Sequence, residues 1–233
     1  APHTLPYDKT IKNWVANEMG DLIFFDVKST TGEFIDYDRE IHWRENRDLS
    51  GNNIMHMGIF YESAMRWLGT ASSVMAVSNV NVKKRHSSET GHLMDISIPD
   101  HLEAIGEMNI GGNFHLSHST VLGGAEKIEI NIYGTNSTLR ISEDPSSKIL
   151  QSHNTSKLKM EILNKNSNKW KELKPKKSQI GKWRVEEEFI NAIKGKERIS
   201  HTTFSDGVKY MQFADALKIS SESNRKVYLP LSK

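Results

Sequence analysis

The sequence predicts an α+β fold, with one largely antiparallel open sheet and helices packed on one of its faces. Three observations carry this. The chain opens as helix, strand, helix; a long series of short β-rich runs follows; and the last quarter returns to helical periodicity before one final strand. The links between consecutive runs are too short for crossover helices, so sequence neighbours must run antiparallel.

Tyr7 to Met19 places Ile11, Trp14 and Val15 at helical spacing and ends at Gly20, a residue suited to a left-handed helix terminus. Asp21 to Ser29 carries Leu22, Ile23, Phe24, Phe25 and Val27, a buried strand. Thr30 to Asp48, with Tyr37, Trp43, Arg44 and Arg47, shows neither period and reads as a long loop, a class that tends to be functional. After Gly51-Asn52-Asn53, the run Ile54 to Leu68 sets Met57, Tyr61, Ala64 and Leu68 on one stripe, a helix of about four turns closed by Gly69.

Ser73 to Lys83 alternates as a strand, and Lys83 to Gly91 reads as a charged, flexible connection. Strands are then expected at Leu93 to Ile98, Leu102 to Asn109, Asn113 to Thr120, Lys127 to Tyr133 and Thr138 to Ser142. Gly111-Gly112 and Gly123-Gly124 separate three of them and supply the positive φ of tight hairpins. Leu158 to Leu163 and Lys169 to Leu173 are further strands. Trp183, Val185, Phe189, Ile190 and Ile193 give a helix an apolar face before Gly195, Phe204 to Ser221 forms the last helix, and Val227 to Leu231 closes as a strand.

Composition bounds the function. Of 233 residues, 36% are hydrophobic and 26% charged, enough for a core and an ordinary solvated surface. Lys plus Arg is 31 against 29 Asp plus Glu, a balance that argues against nucleic acid as a partner. No apolar run is long enough to cross a bilayer and the start lacks a signal-peptide pattern, so the expectation is a soluble chain without membrane contact. The absence of cysteine excludes disulfides, a cysteine nucleophile and thiolate metal sites, and is compatible with either a cytoplasmic or a periplasmic location.

None of the 15 glycines forms Gly-x-Gly, so no dinucleotide-binding turn or phosphate loop is encoded. Serine-hydrolase elbows and zincin helices are also missing. His115 and His118 lie close together, but on a strand they point to opposite faces, and no metal site is expected.

The segment Ser50-Gly51-Asn52-Asn53-Ile54-Met55-His56-Met57-Gly58-Ile59-Phe60-Tyr61-Glu62, followed by Arg66-Trp67-Leu68-Gly69, resembles the C-terminal domain of the Gfo/Idh/MocA oxidoreductases. That family shows a glycine-rich turn, then Asp-x-Gly-x-His-x-x-Asp opening a helix. The resemblance extends along the chain. Pro6-Tyr7 with Ile11-Lys12 and Met19-Gly20-Asp21 is similar to the segment after the family's nucleotide domain, and Trp43-Arg44 to its Trp-Arg before the glycine-rich turn. Gly134 to Ile141 is similar to its hairpin, with Ser137 in place of a glycine. Glu186 to Lys196, Asp206-Gly207, Ala214 to Ala216, Ser220 and Val227-Tyr228-Leu229-Pro230 fit its closing helices and strand.

The resemblance implies that residues 1–233 are a substrate-binding and oligomerising domain whose N-terminal Rossmann domain lies outside this sequence. NAD(P) and a catalytic lysine would come from that absent half, the substrate would be a sugar or polyol, and homo-oligomers would form through an apolar outer sheet face. The whole protein would transfer a hydride between substrate and NAD(P). Two alternatives stand beside it, a non-catalytic binding or assembly module and an NAD-dependent glycosidase.

The motif is altered where the family does proton transfer. His56 stands at the first Asp, Phe60 at the His and Ser63 at the second Asp. His56, Phe60, Ser63 and Trp67 step by four, three and four, so they share a helix face expected to line the pocket. His56 is the remaining acid/base candidate, with helix capping or hydroxyl binding as its other readings. Asn53, Phe60 and Ser63 are candidate substrate contacts. Trp43 and Arg44 would stack on and hydrogen-bond a polyhydroxylated or acidic substrate, or else serve loop packing; His42 is a weaker candidate of the same kind. Tyr61 and Met57 are expected in the core, and Glu62 at the surface or in a helix–helix contact.

Overall fold

The first helix, α1 (Asp8–Asn17), turns Ile11 and Trp14 inward and carries Asp8 in its first turn, where a carboxylate complements the helix dipole. The computed structural model describes residues 7–52, 57–143, 158–180, 184–200 and 202–232. Asn53, His56 and Trp183 therefore lie outside the described residues.

After Gly20, whose φ is +76°, β1 (Leu22–Thr30) runs through the middle of a nine-stranded sheet. Two short turns, Trp43–Glu45 and α2 (Arg47–Ser50), punctuate the expected loop. Then come α3 (Met57–Leu68), β2 (Ala71–Asn79), β3 (Lys84–His86), β4 (Leu93–Asp95), β5 (His101–Met108), β6 (Asn113–Ser119), β7 (Ile128–Gly134), β8 (Ser137–Glu143), β9 (Leu158–Asn164) and β10 (Lys171–Glu172). The chain closes through α4 (Val185–Ile193), α5 (Phe204–Ser223) and β11 (Val227–Tyr228). The spatial order is β10-β9-β8-β7-β1-β6-β5-β2-β11, with β3 and β4 forming a separate ribbon.

One pairing departs from the antiparallel expectation. Gly111-Gly112, both at positive φ, make the β5–β6 hairpin, but Gly123-Gly124 does not join neighbours. β1 lies between β6 and β7, parallel to the first and antiparallel to the second. The connection from Ser119 to Ile128 only has to step over one strand, about 10 Å at ~4.8 Å per strand spacing, and its length permits that. Gly124 anchors this step through a hydrogen bond to the Gly32 carbonyl at 3.0 Å.

β2 stops at Asn79, short of the expected Lys83, because the Asp100 carboxylate accepts from the backbone N–H groups of Asn81 and Val82 and turns the chain. The supposed flexible connection beyond it holds β3, with Arg85 buried.

The core lies on one sheet face. Ile130, Ile132, Leu139, Ile141, Leu102, Phe114 and Leu116 project toward Trp14, Met57, Leu68, Phe213 and Leu217 of α1, α3 and α5. Gly106 is obligatory where β5 meets β2, since a Cβ there would collide with the Ser73 carbonyl oxygen and the Phe114 ring. The opposite sheet face is mixed, not uniformly apolar as expected. Met75, Val77 and Ile105 are exposed on the β2–β5 side, while Asp26, Lys28, Glu103, His115 and Glu129 occupy the centre. No described helix is long and apolar enough to cross a membrane.

Candidate functional site

Because β1 and β6 are parallel, both deliver their C-terminal ends to the same edge of the sheet. The long loop leaves β1 at this edge. Arg85 from β3 holds the loop down: its guanidinium donates to the carbonyls of Asp36 at 2.6 Å and Arg39 at 3.1 Å, and lies 3.4 Å from Glu45. Arg39 clamps Glu45 with two hydrogen bonds of 2.6 and 2.8 Å, and Glu45 accepts from the backbone of His42. Burial works against the Glu45 charge, but Arg39, the His42 N–H and Arg85 outweigh it and hold the carboxyl below its ordinary range.

This scaffold presents Trp43 and Arg44. The Arg44 guanidinium sits 4.1 Å from the Trp43 ring centroid, and the indole is 47% exposed. An aromatic plate with a cation over it can stack on a sugar ring or pair with a carboxylate. His42 accepts from the Arg44 N–H at 3.3 Å and so works as a local brace. The turn before α3 is tied to α5, with Asn52 donating to Asp215 at 2.7 Å.

Phe60, in the first turn of α3, reaches the same sheet edge. Its ring centre is 5.1 Å from that of His118, which is paired with Ser29 across the β1–β6 ladder. His118 Nδ1 lies 2.9 Å from the Ser29 carbonyl oxygen. A carbonyl can only accept, so Nδ1 carries a proton and donates it to Ser29. His118 is a functional candidate missed in the sequence, although its alternation with Phe114 and Leu116 placed it on the helix-covered face.

Ser63 and Trp67 do not join Phe60 on an open surface. α1 covers them. Both are buried in a polar cluster where Arg66 bonds Asp8 at 2.8 Å and Glu62 at 2.7 Å, approaches Ser63 at 3.5 Å, and Trp67 donates to Asp8 at 2.8 Å. Thr202 also bonds Glu62. Helical spacing correctly groups Phe60, Ser63 and Trp67 on adjacent turns but cannot say what packs over them. Met57 and Tyr61 lie in the core, and Glu62 is buried, paired with Arg66 of its own helix and bonded to Thr202.

His115 points to the other sheet face, its two ring nitrogens each 2.7 Å from a carboxylate, Asp26 and Glu103. Among the described residues, no three His, Asp or Glu side chains are arranged to hold a metal ion. Burial acts to lower the His115 pKa from its ordinary 6.5, but the hydrogen bonds and charges of Asp26 and Glu103 prevail and raise it. A histidine raised in the folded state stabilises fully below its unfolded pKa, and loses that contribution as pH climbs through the folded value. The urea midpoint of His115→Gln is therefore expected to lie furthest below that of the unaltered protein in mildly acidic buffer. The gap should narrow as pH rises above the ordinary histidine range, and a gap constant across pH would contradict the assignment.

A mostly antiparallel sheet with helices on one face defines the class of a two-layer α/β domain. Residues 12–229 match the family model GFO_IDH_MocA_C, "Oxidoreductase family, C-terminal alpha/beta domain", and the chain belongs to that family. No curated protein matches the chain. Among solved structures, it is similar to an NAD-binding oxidoreductase from Klebsiella pneumoniae at 14% identity, TM-score 0.76, covering 100% of this chain and 66% of that one. It is also similar to levoglucosan dehydrogenase in complex with NADH and L-sorbose, at 15% identity and TM-score 0.77, covering 98% and 65%. A third similar fold is the transcriptional regulator Gal80p from Kluyveromyces lactis, at 17% identity and TM-score 0.70, covering 97% and 60%. The chain thus spans just under two thirds of the first two proteins' length.

Proposed function

We propose that the chain is the substrate-binding domain of an NAD(P)-dependent oxidoreductase that oxidises or reduces a sugar or polyol. The observations that support this reading are the exposed Trp43–Arg44 pair on the long loop after β1 and, separately, the Phe60–His118 contact between α3 and β6, within a chain of an oxidoreductase family. Trp43 and Arg44 stack on and hydrogen-bond the substrate, with Asn53 as a further contact. Phe60 forms an apolar wall. Ser63, buried under Arg66, contributes through packing.

In the oxidation direction, the carbinol C–H bond breaks as hydride leaves, the C=O bond forms, and the hydroxyl proton passes to a base. NAD(P), bound by the other domain, supplies the hydride acceptor. His56 is the proposed base, since Phe60 cannot carry a proton. His118, which touches Phe60, is a second imidazole candidate.

A second reading, a non-catalytic module, is favoured by Phe60 and Ser63 standing where the resemblance expects His and Asp, and by the likeness to Gal80p. Incubating the full-length protein with NAD(P)+ and a panel of sugars, polyols and glycosides separates them. Nicotinamide reduction is expected, falling about 10²- to 10⁴-fold in His56→Ala. Nucleotide binding without reduction across the panel would support the non-catalytic module, and aglycone release without net reduction would support a glycosidase.

A further inference from the structure

The edge of the sheet formed by β10 carries a concentration of positive charge that the balanced composition of the chain conceals. Between residues 165 and 177 stand six lysines, Lys165, Lys169, Lys171, Lys174, Lys176 and Lys177, against one acid, Glu172. All six are exposed. Glu172 lies 3.1 Å from Lys174, and among the described residues the other five ammonium groups face no carboxylate. Lysines on an edge strand discourage pairing with another sheet. That role needs charge on the strand itself, and only Lys171 lies on β10; the other five flank it.

An aromatic plate sits in the middle of this charge. Trp170 immediately precedes β10 and is 36% exposed, and the Arg140 guanidinium lies 4.3 Å from its ring centroid. Leu139 and Ile141 on either side of Arg140 are in the core, so Arg140 and the indole stacked on it occupy the opposite face of the sheet. Two carboxylates share that corner. Glu161 is the cross-strand neighbour of both Arg140 and Glu172, and it accepts from Arg140 at 2.7 Å.

We propose that this edge binds an acidic polysaccharide, a chain of sugars bearing carboxylates or sulfates. Three features select that partner. The uncommitted ammonium groups are spread along the hairpin and the segment after it, which matches anionic groups repeated along a polymer better than one small anion. The indole offers an apolar face to the C–H face of a sugar ring. A carboxylate keeps acceptor capacity beyond one ion pair, so Glu161 and Glu172 can take hydrogen bonds from sugar hydroxyls. The same two charges repel the continuous phosphates of a nucleic acid or of an anionic bilayer surface. Binding here requires no hydride transfer.

The test titrates the full-length protein with polygalacturonate, with dextran, single-stranded DNA and phosphatidylserine vesicles in parallel. Polygalacturonate is expected to bind most tightly, losing about ten-fold or more in affinity as salt rises from about 50 to about 200 mM. Lys165→Gln, Lys169→Gln, Lys176→Gln and Lys177→Gln combined, all at exposed positions outside the sheet, should weaken it by about ten-fold or more. Trp170→Ala should weaken it by about two- to ten-fold. A preference for DNA or for vesicles would assign the edge to that partner and overturn the proposal. Affinity for polygalacturonate no greater than for dextran, or left unchanged by the four glutamines or by Trp170→Ala, would overturn it as well.

Discussion

Arg66→Met is expected to destabilise the protein by about 3–5 kcal/mol, the cost of removing one partner from a buried charge cluster. The Arg66 side chain is only 11% exposed and pairs with Asp8 and Glu62, whose side chains are 5% and 11% exposed. Methionine matches the stem in length, so the loss reports charge and hydrogen bonding more than volume. Burial works to raise the Glu62 carboxyl, and Arg66 is one of the groups that hold it below its ordinary range, so its charged form would lose support. The cost should therefore shrink as pH falls toward the carboxylate range and Glu62 takes up a proton. Urea unfolding of the variant and parent at neutral pH and near pH 5 checks this, and a loss below about 1 kcal/mol at neutral pH would mean that the cluster is better solvated than its geometry implies. Because the cluster ties α1 to α3 and to Thr202, the same substitution should loosen the helix that carries Phe60.

Phe213→Ala should cost a similar amount, about 3–5 kcal/mol. Phe213 is fully buried, stacked on Tyr61 with ring centres 3.7 Å apart and 9° between planes, and tilted against Phe114 at 6.0 Å. It joins α5, α3 and β6 at one point, so truncation leaves a cavity that no single element can close. Tyr61 would respond. Burial pushes its phenol up to about 12, and its oxygen accepts from the Ala71 N–H at 2.6 Å, fixing the entrance to β2. Thermal unfolding should show the lost stability, and the rise in Tyr61 pKa should diminish as water gains access. Leu at 213 should restore most of the stability, whereas a polar residue of similar size should not.

How far the sequence carried the fold depends on the range of the information. Ile128, Ile130 and Ile132 alternate within one strand, and their burial follows from that period alone. The insertion of β1 between β6 and β7 depends on pairing across some ninety residues, which no local pattern encodes. β3 escaped because three residues, Lys84, Arg85 and His86, are charged or polar and the one buried among them is an arginine that pins a distant loop.

The site was legible in the same uneven way. Trp43 and Arg44 stood out by type, and the structure stacks them. Ser63 and Trp67 were expected to line the pocket with Phe60, but Asp8 of α1, 59 residues before Trp67, covers them. α4 shows the converse: its apolar stripe is plain in the sequence, yet only the fold reveals that the stripe faces outward while Glu188 faces in.

Transfer of a carbinol-bound deuterium to the nicotinamide ring by the full-length protein tests the central claim most directly. With a deuterated polyol and NAD(P)+, the label is predicted to appear in the reduced nucleotide, at a rate that falls when Trp43 is replaced by alanine. Label that stays on the sugar, with the nucleotide bound and unreduced for every polyol tried, would contradict the account.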